Sequence, residues 1–224
     1  MTISDWPTTE RPREKLLAQG PSALSNAELL ALFIQTGTRG RSALDVARNA
    51  LALTGGLRAL FDLPPDRLAE IAGIGPARAA LIKGAIEIAT RYLEEDLKER
   101  EIFNSPEDTC LYLHARLRSR PHEVFACLFM DNRHRMIAYE EMFRGTINGT
   151  SVHPREIVKR ALELNAAALI VAHNHPSGVA EPSETDRGMT RKLAASLALV
   201  DLRLLDHIVV GDGDVVSFSQ RGLL

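Results

Sequence analysis

Residues 168–178, Ala168-Leu169-Ile170-Val171-Ala172-His173-Asn174-His175-Pro176-Ser177-Gly178, decide how the second half of this chain is read. An unbroken apolar run that meets a Pro-Ser-Gly turn signal reads as a buried strand ending at His173. On a strand, residues i and i+2 point to the same side. His173 and His175 therefore project together from a strand end, and the following loop can bring Asp186 back to them. Two imidazoles and one carboxylate are the protein ligands of an open catalytic zinc site, with water in the fourth position. That pattern points to a hydrolase. A single histidine on an apolar strand is ordinarily a satisfied core residue; the paired spacing and the turn beyond it set these two apart. Ser183-Glu184-Thr185-Asp186 has a second reading, in which Ser183 caps a helix and Asp186 is its capping-box partner. Aspartate is shorter than the glutamate or glutamine favoured there, which leaves it free for other work.

Around this segment, strands and helices alternate from residue 104 onward. A helix is expected from Ser105 to Leu117, opened by an N-cap serine and a proline at the first helical position. Glu123–Met130 reads as a strand, residues 131–134 as a turn, and Arg135–Phe143 as its hairpin partner. A helix follows from His153 to Asn165, and another from Ser183 to Leu199 after the histidine strand. Leu204–Val210 and Val215–Phe218 flank Gly211-Asp212-Gly213-Asp214 as a second hairpin. Mixed strands interleaved with helices predict an α/β layered domain.

Before residue 100 the apolar spacing is helical. Asn26–Gln35 and Ser42–Leu53 carry Leu, Ala and Val at i, i+3 and i+4, with Ser25 or Asn26 and Ser42 as caps. A short segment, Asp66–Ile71, leads through Ala72-Gly73-Ile74-Gly75-Pro76 into a long helix from Ala77 to about Leu97. The charged run Glu94–Glu101 reads as a solvated helix end and linker. Two domains are expected, an all-α domain over 1–100, with its hairpin at about 66–90, and an α/β domain over 101–224.

Helix, glycine-bracketed turn and helix around Gly73 and Gly75 resemble the helix-hairpin-helix motif, which grips DNA backbone phosphates. Free amides and the macrodipole at a helix N-terminus favour a phosphate, and such contacts position without specifying sequence. Gly73, Gly75, Arg78 and Lys83 are the candidate DNA contacts. The other reading is an interhelix turn that only packs. Residues 1–97 hold 11 Lys+Arg against 12 Asp+Glu, so this half is not basic.

The bulk properties narrow the class. The chain has 224 residues, 45% hydrophobic and 25% charged, with a formal net charge of -2. Those values fit a globular protein with a real core and supply no global basic field. Cys110 and Cys127 lack a CxxC partner, so neither a disulfide framework nor a thiolate zinc site is indicated. The stretch Met1–Pro7 lacks a signal-peptide pattern, and no apolar run reaches the roughly 18 residues of a membrane span. A cytoplasmic location is expected.

The spacing His-x-His, seven residues, Ser, two residues, Asp resembles the signature of the JAMM (MPN+) metallopeptidases. His173–Gly178 and Pro182–Asp186 look like the RadC branch of that superfamily, as do Arg11-Pro12-Arg13-Glu14-Lys15-Leu16-Leu17 and the helix-hairpin-helix. The resemblance covers nearly the whole chain. It implies a JAMM/MPN-like, cytidine-deaminase-like layered mixed sheet with helices, and a zinc ion held by His173, His175 and Asp186. It implies Glu123 as the catalytic glutamate and Ser183 as the serine that helps stabilise the oxyanion. Glu140, Glu141 and Glu156 are weaker candidates for the base. Asn174 departs from the deubiquitinating members, which usually have Ser or Thr between the histidines.

The expected activity is cleavage of a peptide or isopeptide bond by metal-activated water. Two alternatives stand beside it. One is a metal-dependent nuclease or DNA-processing protein fed by the N-terminal module; the other is a binding protein that holds metal without turnover. Arg144-Gly145-Thr146 and Arg155 could line a cleft near the site, and Arg155, near a helix start, could meet an anionic substrate, although a surface ion pair is its default role. His207, beside Asp206, could orient a metal ligand, but a structural hydrogen bond in the sheet is the expected role. His114, His122, His134 and His153 have no partners at metal-ligand spacing.

Overall fold

The structure is a computed structural model describing residues 6–99, 106–145 and 152–224. By internal contacts the chain divides into two compact units, 1–89 and 90–224. The expected boundary at residue 100 lies further on, because Leu93 and Leu97 pack into the core of the second unit. Ser105, Glu101 and Thr146 lie outside the described residues.

The first unit is helical: α1 (Pro12–Gln19), α2 (Asn26–Ile34), α3 (Ala43–Thr54), α4 (Leu57–Asp62), α5 (Pro65–Glu70) and the start of α6 (Gly75–Glu99). Ser25 caps α2 and Ser42 caps α3, each in a full capping box with Glu28 or Asp45. Each box satisfies amide donors that a helix end otherwise leaves open. Leu30, Ile34, Val46, Ala47, Leu60, Leu68 and Ile82 form the core. The expected α2, α3 and α5 are present within a residue or two. Two helices, α1 and α4, have no counterpart in the sequence reading. α1 is polar, with Leu17 largely exposed, and α4 has only six residues. Neither is long and apolar enough to show a 3.6-residue period.

The second unit contains a five-stranded sheet in the order β2-β1-β3-β4-β5 among the described residues. Its strands are β1 (Val124–Met130), β2 (Met136–Arg144), β3 (Ala168–Asn174), β4 (Arg203–Val210) and β5 (Val215–Ser217). β3 and β4 run parallel, joined across helix α9 (Glu184–Ala198); the other neighbours are antiparallel. β1 and β3 are buried at every residue, as strands covered on both faces must be.

Alternation sorts their side chains into two cores. Val124, Ala126, Leu128, Ile170 and Ala172 pack with Tyr112, Leu113 and Leu117 of α7 (Pro106–Leu117). Phe125, Cys127, Phe129, Leu169 and Val171 pack with Ile157 and Ala161 of α8 (Pro154–Glu163) and Leu193 and Leu197 of α9. The unit is therefore a three-layer α/β/α arrangement, and His173 continues the face that α8 and α9 cover. No helix among the described residues is long and apolar enough to cross a membrane.

Candidate metal centre

The site forms where β3 ends. His173 is the next residue after Leu169 and Val171 on one face of the strand, and it is 1% exposed. His175 lies just past the strand, where its amide donates to Val210 O at 2.9 Å. Gly178 then turns the chain with φ at 84°, and a Cβ there would press on Asp212. Ser183 caps α9, and the first turn of that helix carries Asp186 toward the histidines.

The three expected ligands converge. His173 Nε2 and His175 Nε2 are 2.9 Å apart. Asp186 Oδ1 is 3.4 Å from His173 Nε2, and Asp186 Oδ2 is 3.7 Å from His175 Nε2. Among the described residues they make up the metal-competent group, with one ligand atom from each all within 4.8 Å of one another. A tetrahedral ion with bonds near 2.1 Å sets its ligand atoms ~3.4 Å apart. His175 Nδ1 lies 2.7 Å from Val179 O. A carbonyl only accepts, so the proton sits on Nδ1 and His175 Nε2 presents a lone pair. Spacing and donor chemistry both fit a divalent zinc ion.

Asp186 does two jobs at once. Its Oδ2 accepts from the Ser183 amide at 2.7 Å and from the Ser183 hydroxyl at 2.6 Å, while its own amide donates to Ser183 Oγ at 3.2 Å. The capping box thus forms in full despite the shorter side chain, and Asp186 is not left free of it. The box aims the carboxylate, leaving Oδ1 toward His173.

The surroundings separate the charges. Burial pushes His173 down to about 4, although Asp186 pulls the other way. His175 is raised, first by Asp186 beside it, with burial opposing and with the Val179 carbonyl and the Glu123 charge assisting. Burial pushes the Asp186 carboxyl up, but the two histidines and Ser183 together hold it well below the usual range. His207 is lowered well below its ordinary value by burial, with His173 adding to the effect. The carboxylate is therefore ionised, and the buried imidazoles are neutral.

Glu123 sits one residue before β1 rather than on it. In the β1–β3 ladder Phe125 faces His173. Glu123 precedes Phe125 by two residues, and its charge acts on the His175 imidazole. The other carboxylates considered for the base are engaged elsewhere: Glu140 with Arg160, Glu141 with Arg120, and Glu156 with Arg155. Arg144 pairs with Glu141 and Arg155 with Glu156, so both take the surface role.

Thr190 escaped the sequence reading, and His207 was given a structural bond as its expected role, with orientation of a metal ligand as the alternative. His207 Nε2 is 2.8 Å from His173 Nδ1, and His207 Nδ1 is 2.6 Å from Thr190 Oγ1. His207 therefore touches a candidate metal ligand, the alternative role and not the expected structural one. Asp206 takes the structural role instead, accepting from Ser217 Oγ, Ser219 N and His207 N. Thr190 follows Asp186 by four residues, one helical turn, which was the available signal.

The two cysteines are free, and Cys127 is fully buried. Burial raises both thiols, Cys110 to about 11.

In the first unit, α5, the turn at Gly73 and α6 adopt the expected hairpin shape. Gly73 has φ at 93°, and a Cβ there would sit 2.8 Å from a Val46 methyl. Arg78 donates to Gly73 O, to Thr36 O at 2.6 Å and to Thr36 Oγ1 at 2.8 Å. Lys83 donates to Phe61 O. Both cations are turned inward onto carbonyls, and Gly73 is needed for close packing.

The family model described as RadC-like JAB domain matches residues 103–223, and the one described as UPF0758 N-terminal matches residues 3–80. A UPF0758 protein of Nitrosococcus oceani is 56% identical over 224 residues, covering 100% of both chains. Another from Thioalkalivibrio sulfidiphilus is 58% identical over 224 residues, again covering 100% of both. A third, from Alcanivorax borkumensis, is 55% identical over 222 residues and 99% of each chain. With the end of β3 and the first turn of α9 delivering two histidines and an aspartate to one point, and with matches spanning both units, the chain belongs to the family of RadC-like JAB domain proteins with a UPF0758 N-terminal region.

Proposed function

We propose that the second unit is the catalytic part of a zinc-dependent hydrolase of the JAMM metallopeptidase class, acting on a peptide or isopeptide bond. The observation that carries this reading is the convergence of His173 Nε2, His175 Nε2 and the Asp186 carboxylate at one half-open point. Zinc held there supplies Lewis acidity and brings the pKa of a water at the site to roughly 7.

The chain's own groups divide the remaining work. Glu123, whose charge acts on His175, accepts the proton of the attacking water and returns it to the leaving amine. Its position beyond the ligand cluster suits a base that works through water. Ser183 is the candidate donor to the oxyanion. Its hydroxyl points at Asp186 Oδ2 at 2.6 Å, so it must turn away from the carboxylate to take that role.

The test offers zinc-loaded wild type and Glu123→Gln the same pools of peptide, isopeptide, single-stranded DNA and double-stranded DNA. Chelator-sensitive cleavage of peptide or isopeptide, lost in Glu123→Gln with zinc retained, is the expected result. Cleavage of DNA alone would replace the peptidase reading with a nuclease. No cleavage of any pool, with zinc bound, would leave a metal-binding protein without turnover.

A further inference from the structure

A chain of buried hydrogen bonds runs from the backbone of one metal-site residue to the imidazole of another. Thr190 Oγ1 lies 2.6 Å from Asp186 O, His207 Nδ1 lies 2.6 Å from Thr190 Oγ1, and His173 Nδ1 lies 2.8 Å from His207 Nε2. Thr190 and His173 are 1% exposed and His207 is 0% exposed. No solvent reaches these groups to satisfy them otherwise, so each must pair within the chain.

The direction of every bond is fixed by its first acceptor. The Asp186 carbonyl has no proton, so Thr190 donates its only hydroxyl hydrogen there. The Thr190 oxygen must then accept from His207, which places the His207 proton on Nδ1. His207 stacks on Phe218 with centroids 4.6 Å apart and meets the edge of Phe125 at 5.8 Å. In that apolar slot the ring stays neutral, so its Nε2 is a bare acceptor. His173 must donate from Nδ1, and its Nε2 is left as a lone pair directed at His175 and Asp186.

We propose that Thr190 and His207 are positioning residues of the metal centre, which fix the tautomer and ring orientation of His173 so that Nε2 is presented as a ligand. The inference rests on the metal-site reading above. It deepens that reading, because the second helical turn of α9 and the middle of β4 become parts of the site. It also gives a reason for a fully buried histidine on β4, where an apolar residue would otherwise pack at no polar cost. Asp186 stands at both ends: its carbonyl accepts the first hydrogen bond of the chain, and its carboxylate Oδ1 lies 3.4 Å from His173 Nε2. Moving any member disturbs the other ligand as well.

The test uses the full chain and three forms: wild type, Thr190→Val and Thr190→Ser. Zinc affinity is measured by competition with a chromophoric chelator. The His173 tautomer is read in metal-free protein from long-range nitrogen–proton correlations of the imidazole. Wild type and Thr190→Ser are expected to carry the His173 proton on Nδ1 and to bind zinc alike. Thr190→Val, nearly isosteric but unable to bond, is expected to lose that single tautomer. It should bind zinc about 10- to 100-fold more weakly, the usual cost of losing a group that orients a ligand.

Zinc affinity in Thr190→Val equal to wild type, or a His173 proton on Nε2 in wild type, would overturn the proposal. Should Thr190→Val fail to fold, the wild-type tautomer and the Thr190→Ser affinity still decide it. Should wild type bind no zinc, the hydrolase reading falls, while the tautomer measurement judges the relay by itself.

Discussion

The Asn174 side-chain oxygen accepts the backbone amide of Val124 at 2.8 Å, fifty residues earlier in the chain. Its amide nitrogen donates to His122 O at 3.1 Å and Arg120 O at 3.3 Å. Asn174 is 1% exposed, so one buried side chain ties down the backbone on both sides of Glu123. The residue that separates the two histidines thus holds the segment carrying the candidate base. Asn174→Ala should lower the stability of the second unit by about 1–3 kcal/mol, the range for leaving buried polar groups unsatisfied. Any peptide cleavage should fall with it while zinc affinity changes little. Urea unfolding together with chelator competition checks this, and a stability equal to wild type would reject the staple.

Much of this site was legible because its logic is local. His173 and His175 are read from the two-residue period of a strand, and Asp186 from the short turn-rich loop that returns the chain to them. Glu123 came with the family resemblance; its approach to His175 depends on the pairing of β1 with β3, which no local period shows. The contact of His207 with His173 was hidden for the same reason, since a parallel neighbour across a helix crossover leaves no mark on spacing, and Thr190 carries no signal beyond its place one turn after Asp186 on α9. The inward turn of Arg78 and Lys83 was equally illegible. Charge is visible in a sequence, but the carbonyl it points at is not. Helix α1 went unseen because its face is too polar to repeat.

Ser183→Ala should separate capping from chemistry. The substitution removes the hydroxyl that bonds both the amide and the carboxylate of Asp186. Loss of the cap should cost about 1 kcal/mol, read by thermal or denaturant unfolding. Zinc affinity should also fall, because Asp186 Oδ2 loses a donor that aims it. Ser183→Thr, which keeps the hydroxyl, should restore both properties. Unchanged zinc affinity in Ser183→Ala would show that the ligand is aimed without the box.

Acid should release the metal in two stages. Zinc needs neutral imidazoles. His175 is raised above its ordinary 6.5 in the metal-free site, and His173 is lowered to about 4. A raised pKa means that His175 carries a proton throughout the range below it, and the metal must displace that proton. Affinity should therefore be greatest above the His175 value and fall about tenfold per pH unit below it, with one proton released per zinc. The fall should steepen only near pH 4, where His173 begins to protonate. Chelator competition from pH 5 to 8 measures the slope, and an affinity flat across that range would contradict the assignment.

Arg78 is best tested through stability. Its guanidinium bridges Thr36, beyond the end of α2, and Gly73, in the turn before α6. That fork clamps the hairpin turn to the preceding helical segment within the first unit. A charged donor to a carbonyl contributes about 1.5–3 kcal/mol, so Arg78→Ala should destabilise this unit by that order. Arg78→Lys should recover only part, since a lysine cannot present a planar fork to two acceptors. Hydrogen exchange at Gly73–Ala77 should rise in Arg78→Ala. Gel-shift measurements on the same proteins separate this role from DNA contact. If the arginine acts as a clamp, a variant held folded by low temperature binds DNA no differently from wild type. A loss of DNA affinity with full retention of stability and exchange protection would assign Arg78 to a phosphate instead.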